Sequence, residues 1–433
     1  MQAAGEEVEP PLTAPVAAAV HPAGARLIVD TPTSRTAPSY TPALVVLTSL
    51  FFMWGLITSL NDILIPHLKG IFKLSYVQAM LVQFCFFGAY FVVSMPSGVL
   101  VERIGYRRGI IVGLVTAGLG CLGFYPAAAL ASYPLFLAAL FVLACGITLL
   151  QVAANPYVSA LGPSETSASR LNLTQAFNSL GTTLGPLVGS ALILSLAGEG
   201  SEVETVQGPY LGLAATLVVI AFVFSRFHLP VVTGDAGVDD PAEVPGSLWQ
   251  QRHLVLGVVG IFVYVGAEVA IGSFLVNYMG DPKIAGMPES AAGRYLSFYW
   301  GGAMVGRFVG SALLQKFKAG RVLAFNAAGA VLLLLLTMFS EGSFAMWTVL
   351  AVGLFNSIMF PTIFTLAIER LGKRTSEGSG ALCMAIVGGA LVPVLMGFFA
   401  DRIGIQRSFF VPVLCYLYIV FYGLKGSQVV SQR

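Results

Sequence analysis

Apolar runs of about twenty residues, the length that crosses a bilayer core, follow one another almost from end to end of this chain. No other feature restricts the fold as much. Charged residues make up only 10% of the 433, and the mean hydropathy is +0.83, whereas a soluble domain carries about 25% charge. In hydrocarbon every backbone polar group needs a partner within the protein, so only helices and closed barrels span. A barrel would read as short alternating strands; these runs are long and punctuated by Gly and Pro. The sequence therefore predicts an all-α polytopic membrane protein. Its partners are the lipid bilayer and a small solute, and no nucleic acid is expected. Five cysteines sit inside apolar runs without metal or redox spacing, and the four histidines are scattered, with His67 at the end of the first span. Neither H-E-x-x-H nor G-x-S-x-G occurs, so no enzyme activity, metal or cofactor is expected.

Residues 1–42 are rich in Ala, Pro and Thr and read as a flexible cytoplasmic tail. Six apolar runs occupy residues 43–228, and six more occupy 252–424, twelve in all. Between them, residues 229–251 turn to Gly, Asp, Pro and Glu and read as a cytoplasmic linker; residues 425–433 form a short C-terminal tail. The two blocks echo each other. VAANPYVSAL around Pro156 matches MFPTIFTLAI around Pro361, LGPLVGSAL around Pro186 matches LVPVLMGFF around Pro393, and the loop after Gly98 has a weaker echo in GRFVGSALLQKFKAGR. Two pseudo-symmetric six-helix bundles with a site between them are the architecture of a secondary transporter. With the N-terminus inside, the inner loops hold about twice as many Lys and Arg as the outer ones. The positive-inside rule then places both termini in the cytoplasm of a bacterial inner (plasma) membrane.

Polar residues inside such spans are costly and therefore informative. In LLQVAANPYVSALGPSETSASRLNLTQAFNS, Gln151 and Asn155 share one helix face, and Asn172, Gln175 and Asn178 share another. Amides in that number suit a cavity lined to hold hydroxyls, although they also hydrogen-bond between helices. Asn61, Asn277, Trp300 and Asn356 join Gln151, Asn155, Gln175 and Asn178 as candidate substrate-binding residues. Trp54, Tyr90 and Phe360, with Trp300, are candidate stacking faces for a sugar ring. Two acids, Asp62 and Glu268, lie well inside spans, one in each block. Desolvation disfavours the ionised carboxylate there, so both are candidates for proton coupling, or for holding sodium beside carbonyls and amides. A fixed ion pair with Arg307 is the alternative. Gly98, Glu102, Arg103, Gly105, Arg107 and Arg108 form a tight glycine, acid and arginine loop suited to a conformational switch.

G-x-L-x-E-R-x-G-Y-R-R-G resembles the loop motif of the major facilitator superfamily, with Glu102 where Asp is commoner. FFMWGLITSLNDILIPHLKG, LLQVAANPYVSALGP, RLNLTQAFNSLG and GAEVAIGSFLVNY resemble the fucose–galactose–glucose–H⁺ symporter family, closest to its bacterial glucose/galactose branch. The resemblance covers about Phe51 to Gly423 and implies sugar symport by alternating access. It implies that Asp62 matches the acid tied to proton coupling in the family's L-fucose/proton symporter, and that Gln175 and Asn178 match amides at its sugar site. The family's second acid, in the fourth span, is replaced here by Gln151, which points to a different substrate, coupling ion or both.

The expected activity is import of a neutral hexose, glucose or galactose first, by symport with H⁺ or Na⁺. The rival readings are fucose, mannose or N-acetylglucosamine by the same mechanism, a drug or metabolite exporter of the same fold, and a non-transporting sugar sensor. A monomer is the expected state, because the cavity lies within one chain.

Overall fold

In the computed structural model the apolar runs are helical. The structure describes residues 40–71, 76–130, 132–196, 204–227, 230 and 247–429, with backbone alone for 60–71, 76–80, 186–196, 204–209 and 290. Most of the predicted tail (1–42) and linker (229–251) lies outside the described residues; of the linker, Leu248–Gln250 forms one 3-10 turn capped by Ser247. Before the linker come α1 (Thr41–Ile71), α2 (Tyr76–Ile104), α3 (Tyr106–Ala129), α4 (Tyr133–Ala160), α5 (Ser167–Leu196) and α6 (Glu204–Arg226). After it come α7 (Arg252–Gly280), α8 (Glu289–Leu313), α9 (Ala319–Phe339), α10 (Gly342–Asn356) and α11 (Met359–Ala367). Then follow α12 (Thr375–Met384), α13 (Gly388–Ile403), α14 (Ile405–Ser408) and α15 (Phe410–Phe421), with a last π-helical turn at Tyr422–Gly426. Each of the pairs α10/α11, α12/α13 and α14/α15 makes a single pass.

Among the described residues, nine of these stretches are long and apolar enough to cross a membrane. Helices α5 and α8 are the most polar of the long passes, for α5 carries the amides and α8 carries Arg294 and Arg307. Their polarity has a structural outlet: the N-terminal half of α5 packs against the C-terminal half of α8. Asn172 Nδ2 donates to the Arg307 carbonyl at 2.7 Å, and Ser169 Oγ donates to the Ser311 carbonyl at 2.7 Å. Otherwise α1–α6 pack mainly among themselves (α1 on α5, α3 on α4 and α6, α2 on α4), as do the later helices (α7 on α13 and α15, α8 and α9 on α10). The echo between the blocks persists at their tightest crossings. A Cβ on Gly181 would run into the Phe52 carbonyl of α1, and one on Gly388 into the Phe262 carbonyl of α7.

The tenth pass, which the sequence suggests is one helix over about Phe344–Ile368, is broken between α10 and α11. The Ser357 carbonyl would accept from the N–H of residue 361, but Pro361 has none. Arg307 fills that role, its Nε donating to Ser357 O at 3.0 Å. The repeat-related Pro156 frees the Val152 carbonyl of α4 in the same way. There Ser379 of α12 donates its hydroxyl across the two halves at 2.9 Å, and α4 stays continuous. Each freed acceptor is matched by a polar side chain, as buried backbone groups require.

Contacts between the halves gather at the end that carries the α2–α3 connection. A Cβ on Gly98 would lie 2.7 Å from the Ser376 carbonyl of α12, and one on Gly380 would lie 2.7 Å from the Ser94 carbonyl of α2. Together with the α5–α8 bonds, these contacts close that end of the molecule.

Candidate functional site

The amides of α4 and α5 come together where these helices meet. Gln175 Nε2 lies 3.5 Å from Asn155 Oδ1, while Asn155 Nδ2 is buried with no partner. One turn away on α4, Gln151 Nε2 donates to the Tyr90 hydroxyl of α2 at 2.8 Å, and Gln151 Oε1 is buried with no partner. This face of α4 therefore presents an unused acceptor and an unused donor four residues apart, about 6 Å along the axis. Leaving a buried polar atom unpaired costs about 1–3 kcal/mol; these are two of the six such side-chain atoms among the described residues, the others being Ser94 Oγ, Arg107 Nε, Asn172 Oδ1 and Thr362 Oγ1. A sugar, whose adjacent hydroxyls both donate and accept, can satisfy both.

The other predicted amides have different surroundings. Asn178 turns to α1 and donates to the Phe51 carbonyl at 2.9 Å. Asn172 serves the α5–α8 seam. Asn277 and Trp300 are exposed on α7 and α8, and the indole of Trp300 lies over Gly272. Asn356 is fully buried and occupied at both ends: its Nδ2 donates to the Tyr299 hydroxyl at 2.7 Å and its Oδ1 accepts from the Tyr416 hydroxyl at 2.6 Å. The side chains of Asn61, Asp62 and His67 lie outside the described residues; α1 is helical through that stretch. Among the stacking candidates, Trp54 is buried in an apolar crevice with Leu114, Ile147 and Leu217, and Phe360 stacks on Phe364 at 6.1 Å.

Glu268 on α7 is half-buried, and its Oε1 accepts from the Tyr264 hydroxyl at 2.9 Å. Among the described residues it makes no ion pair; Arg307 is turned instead to the Ser357 carbonyl, the Gln175 carbonyl at 3.5 Å and the Ser179 hydroxyl. Tyr264 also reaches the Asn356 carbonyl at 3.1 Å, and Tyr299 donates to the Glu268 carbonyl at 3.2 Å. A buried tyrosine cluster thus holds Glu268 and ties it to the broken tenth pass. These tyrosines, and Tyr90, were not singled out by their polar role in the sequence. The available signal is that a buried tyrosine in an apolar run must place its hydroxyl somewhere.

In the glycine–arginine loop, Gly98 makes the close approach to α12, and Gly105 has φ 82°, a left-handed conformation that favours glycine. Arg107 Nη2 donates to the Ser225 carbonyl near the end of α6, while Glu102, Arg103 and Arg108 are exposed. The five cysteines are unpaired.

Comparison with known proteins extends the picture. The sequence model described as Major Facilitator Superfamily matches residues 44–385. A glucose/galactose transporter of Brucella abortus biovar 1 (strain 9-941) is 59% identical over 90% of this chain and 95% of its own length. The L-fucose-proton symporter of Escherichia coli (strain K12) is 35% identical over 90% of this chain and 94% of its own. The crystal structure of FucP, a transporter of the superfamily captured in the outward conformation, superposes with a TM-score of 0.83 at 34% identity. It covers 90% of this chain and 100% of that one.

Proposed function

The chain belongs to the Major Facilitator Superfamily, and from that premise we propose that it imports a neutral hexose, glucose or galactose, by symport with H⁺ or Na⁺. It is a multi-pass protein of the bacterial inner membrane, and it moves its solute without transforming it. Both termini lie in the cytoplasm, because the closed end carries the more basic loops. The conformation is then outward-facing, with the Gly98–Ser376 and α5–α8 contacts closing the cytoplasmic side.

The observation that carries the sugar reading is the pair of unsatisfied amide atoms on α4, Gln151 Oε1 and Asn155 Nδ2. A drug exporter would gain nothing from two buried orphans, whereas a polyol quenches both. Glucose or galactose is preferred to fucose because the 59%-identical relative is named for those sugars, and because Gln151 stands where the fucose symporter has an acid. Asp62 and Glu268 carry the coupling. Glu268 is free of any ion pair among the described residues, and a carboxylate held by one tyrosine can take up a proton or a sodium ion. No cofactor takes part, and one chain suffices.

Asn155→Ala removes the unused donor. The half-saturation concentration for glucose in proteoliposomes is expected to rise about three- to tenfold, the worth of one neutral hydrogen bond, with little change in maximal rate. An unchanged value would remove Asn155 from the site.

A further inference from the structure

Glu268 and the break in the tenth pass are joined through one hydroxyl. Tyr264, fully buried one turn before Glu268 on α7, places its oxygen 2.9 Å from Glu268 Oε1 and 3.1 Å from the Asn356 carbonyl. That carbonyl is the last of α10. An ionised carboxylate and a peptide oxygen both accept, and a phenol has a single proton to give. The other tyrosines of the cluster are not divided in this way. Tyr416 donates to Asn356 Oδ1, and Tyr299 accepts from Asn356 Nδ2 while donating to the Glu268 carbonyl. Within this cluster, Tyr264 alone faces two acceptors that compete for its proton.

The charge on Glu268 decides between them. A hydrogen bond to an ionised carboxylate is about twice as strong as one between neutral groups, so the ionised acid draws the Tyr264 proton and the Asn356 carbonyl loses it. A neutral carboxyl has no such advantage. Protonated on Oε1, it becomes a donor to Tyr264, and both contacts are satisfied. Protonated on Oε2, it leaves Oε1 without the charge that outcompetes a peptide oxygen. In either case the Tyr264 proton returns to Asn356.

The break has a second hold one residue further on. Arg307 donates to the Ser357 carbonyl at 3.0 Å and also reaches the Gln175 carbonyl and the Ser179 hydroxyl of α5. Two successive carbonyls of the break are thus gripped from the acid on one side and from the amide-bearing helix on the other. We propose that Tyr264 is a positioning residue for symport, relaying the protonation state of Glu268 to the break by moving its one hydrogen bond between Glu268 and the Asn356 carbonyl. The relay rests on the reading of Glu268 as a coupling acid. A proton on Glu268 secures Asn356, and with it the turn that Arg307 ties to α5, so the sugar site is better held in the protonated state. Sugar and proton then strengthen each other's binding by one common factor. Arg307 and Tyr299 on α8 and Tyr416 on α15 also face Glu268. Among the described residues none of these three bonds to its carboxylate.

Equilibrium exchange of labelled glucose in proteoliposomes, with equal pH on both sides, reads the relay in Tyr264→Phe against the native protein. At acid pH the half-saturation concentration of the variant should be about three- to tenfold higher, the worth of one neutral hydrogen bond. At alkaline pH, where Glu268 already holds the Tyr264 proton, the two proteins should match. A loss no greater at acid than at alkaline pH, as a merely structural role would give, overturns the proposal. A second readout needs no sugar. Amide hydrogen exchange over residues 357–362, corrected for the intrinsic effect of pH, should be about three- to tenfold faster at alkaline than at acid pH in the native protein. That difference should vanish in Tyr264→Phe and in Glu268→Gln. Its survival in either variant, or its absence from the native protein, would overturn the relay. The expected exchange pattern in a protein that moves no glucose would instead overturn the hexose reading. The same pattern with native accumulation in Glu268→Gln would overturn the coupling role of Glu268, and in both cases the relay would stand.

Discussion

Gly98→Ala is expected to lower glucose uptake at subsaturating sugar by about 5- to 150-fold while leaving a folded protein in the membrane. The added methyl would stand 2.7 Å from the Ser376 carbonyl and 3.1 Å from the Glu377 Cα, both backbone atoms that cannot swing aside. Overpacking of that kind costs about 1–3 kcal/mol. The cost falls only on the state in which α2 and α12 are docked. A penalty of about 1–3 kcal/mol on one of two states changes their ratio by about 5- to 150-fold. The protein then rests facing inward, with its site turned away from external sugar. Initial uptake rates in proteoliposomes, set beside the amount of folded protein recovered, check this. A native rate in Gly98→Ala would mean that the α2–α12 contact does not govern opening.

Asp62→Asn is expected to abolish concentrative uptake and spare exchange. Moving one cation down a potential of about 100 mV supplies about 2.3 kcal/mol, enough for a sugar accumulation of about 50-fold. Without a site for the cation the ceiling is onefold, however fast the carrier turns over. The same loss is expected of Glu268→Gln, which is the cleaner experiment structurally. The amide oxygen still accepts from the Tyr264 hydroxyl, so the tyrosine cluster around Asn356 is preserved and only the charge is removed. Accumulation at the native level in either variant would take that acid out of the coupling step, and counterflow of preloaded sugar would show that the carrier itself survives.

The membrane character and the helical passes were legible because burial in lipid forces long apolar runs. The two most polar passes, α5 and α8, were legible for the opposite reason: their amides and Arg307 violate the rule and find partners in each other. What the sequence hides is where each polar side chain spends its hydrogen bonds. Asn356 and Asn155 look alike in a string of letters. One is saturated by Tyr299 and Tyr416, the other keeps a free donor, and the difference lies in partners 57 and 60 residues away for Asn356. Pro361 announces a possible kink, but that the tenth pass breaks there depends on Arg307, 50 residues earlier in the chain, reaching the freed Ser357 carbonyl.

Uptake of labelled glucose into proteoliposomes, with a proton gradient and a sodium gradient imposed separately, tests the central claim most directly. Hexose–cation symport predicts accumulation above the external concentration under one gradient, collapse of that accumulation on dissipating it, and inhibition by unlabelled galactose. If no hexose moves under either gradient, or if glucose only equilibrates under both, the claim is contradicted and the amides of α4 and α5 serve another solute.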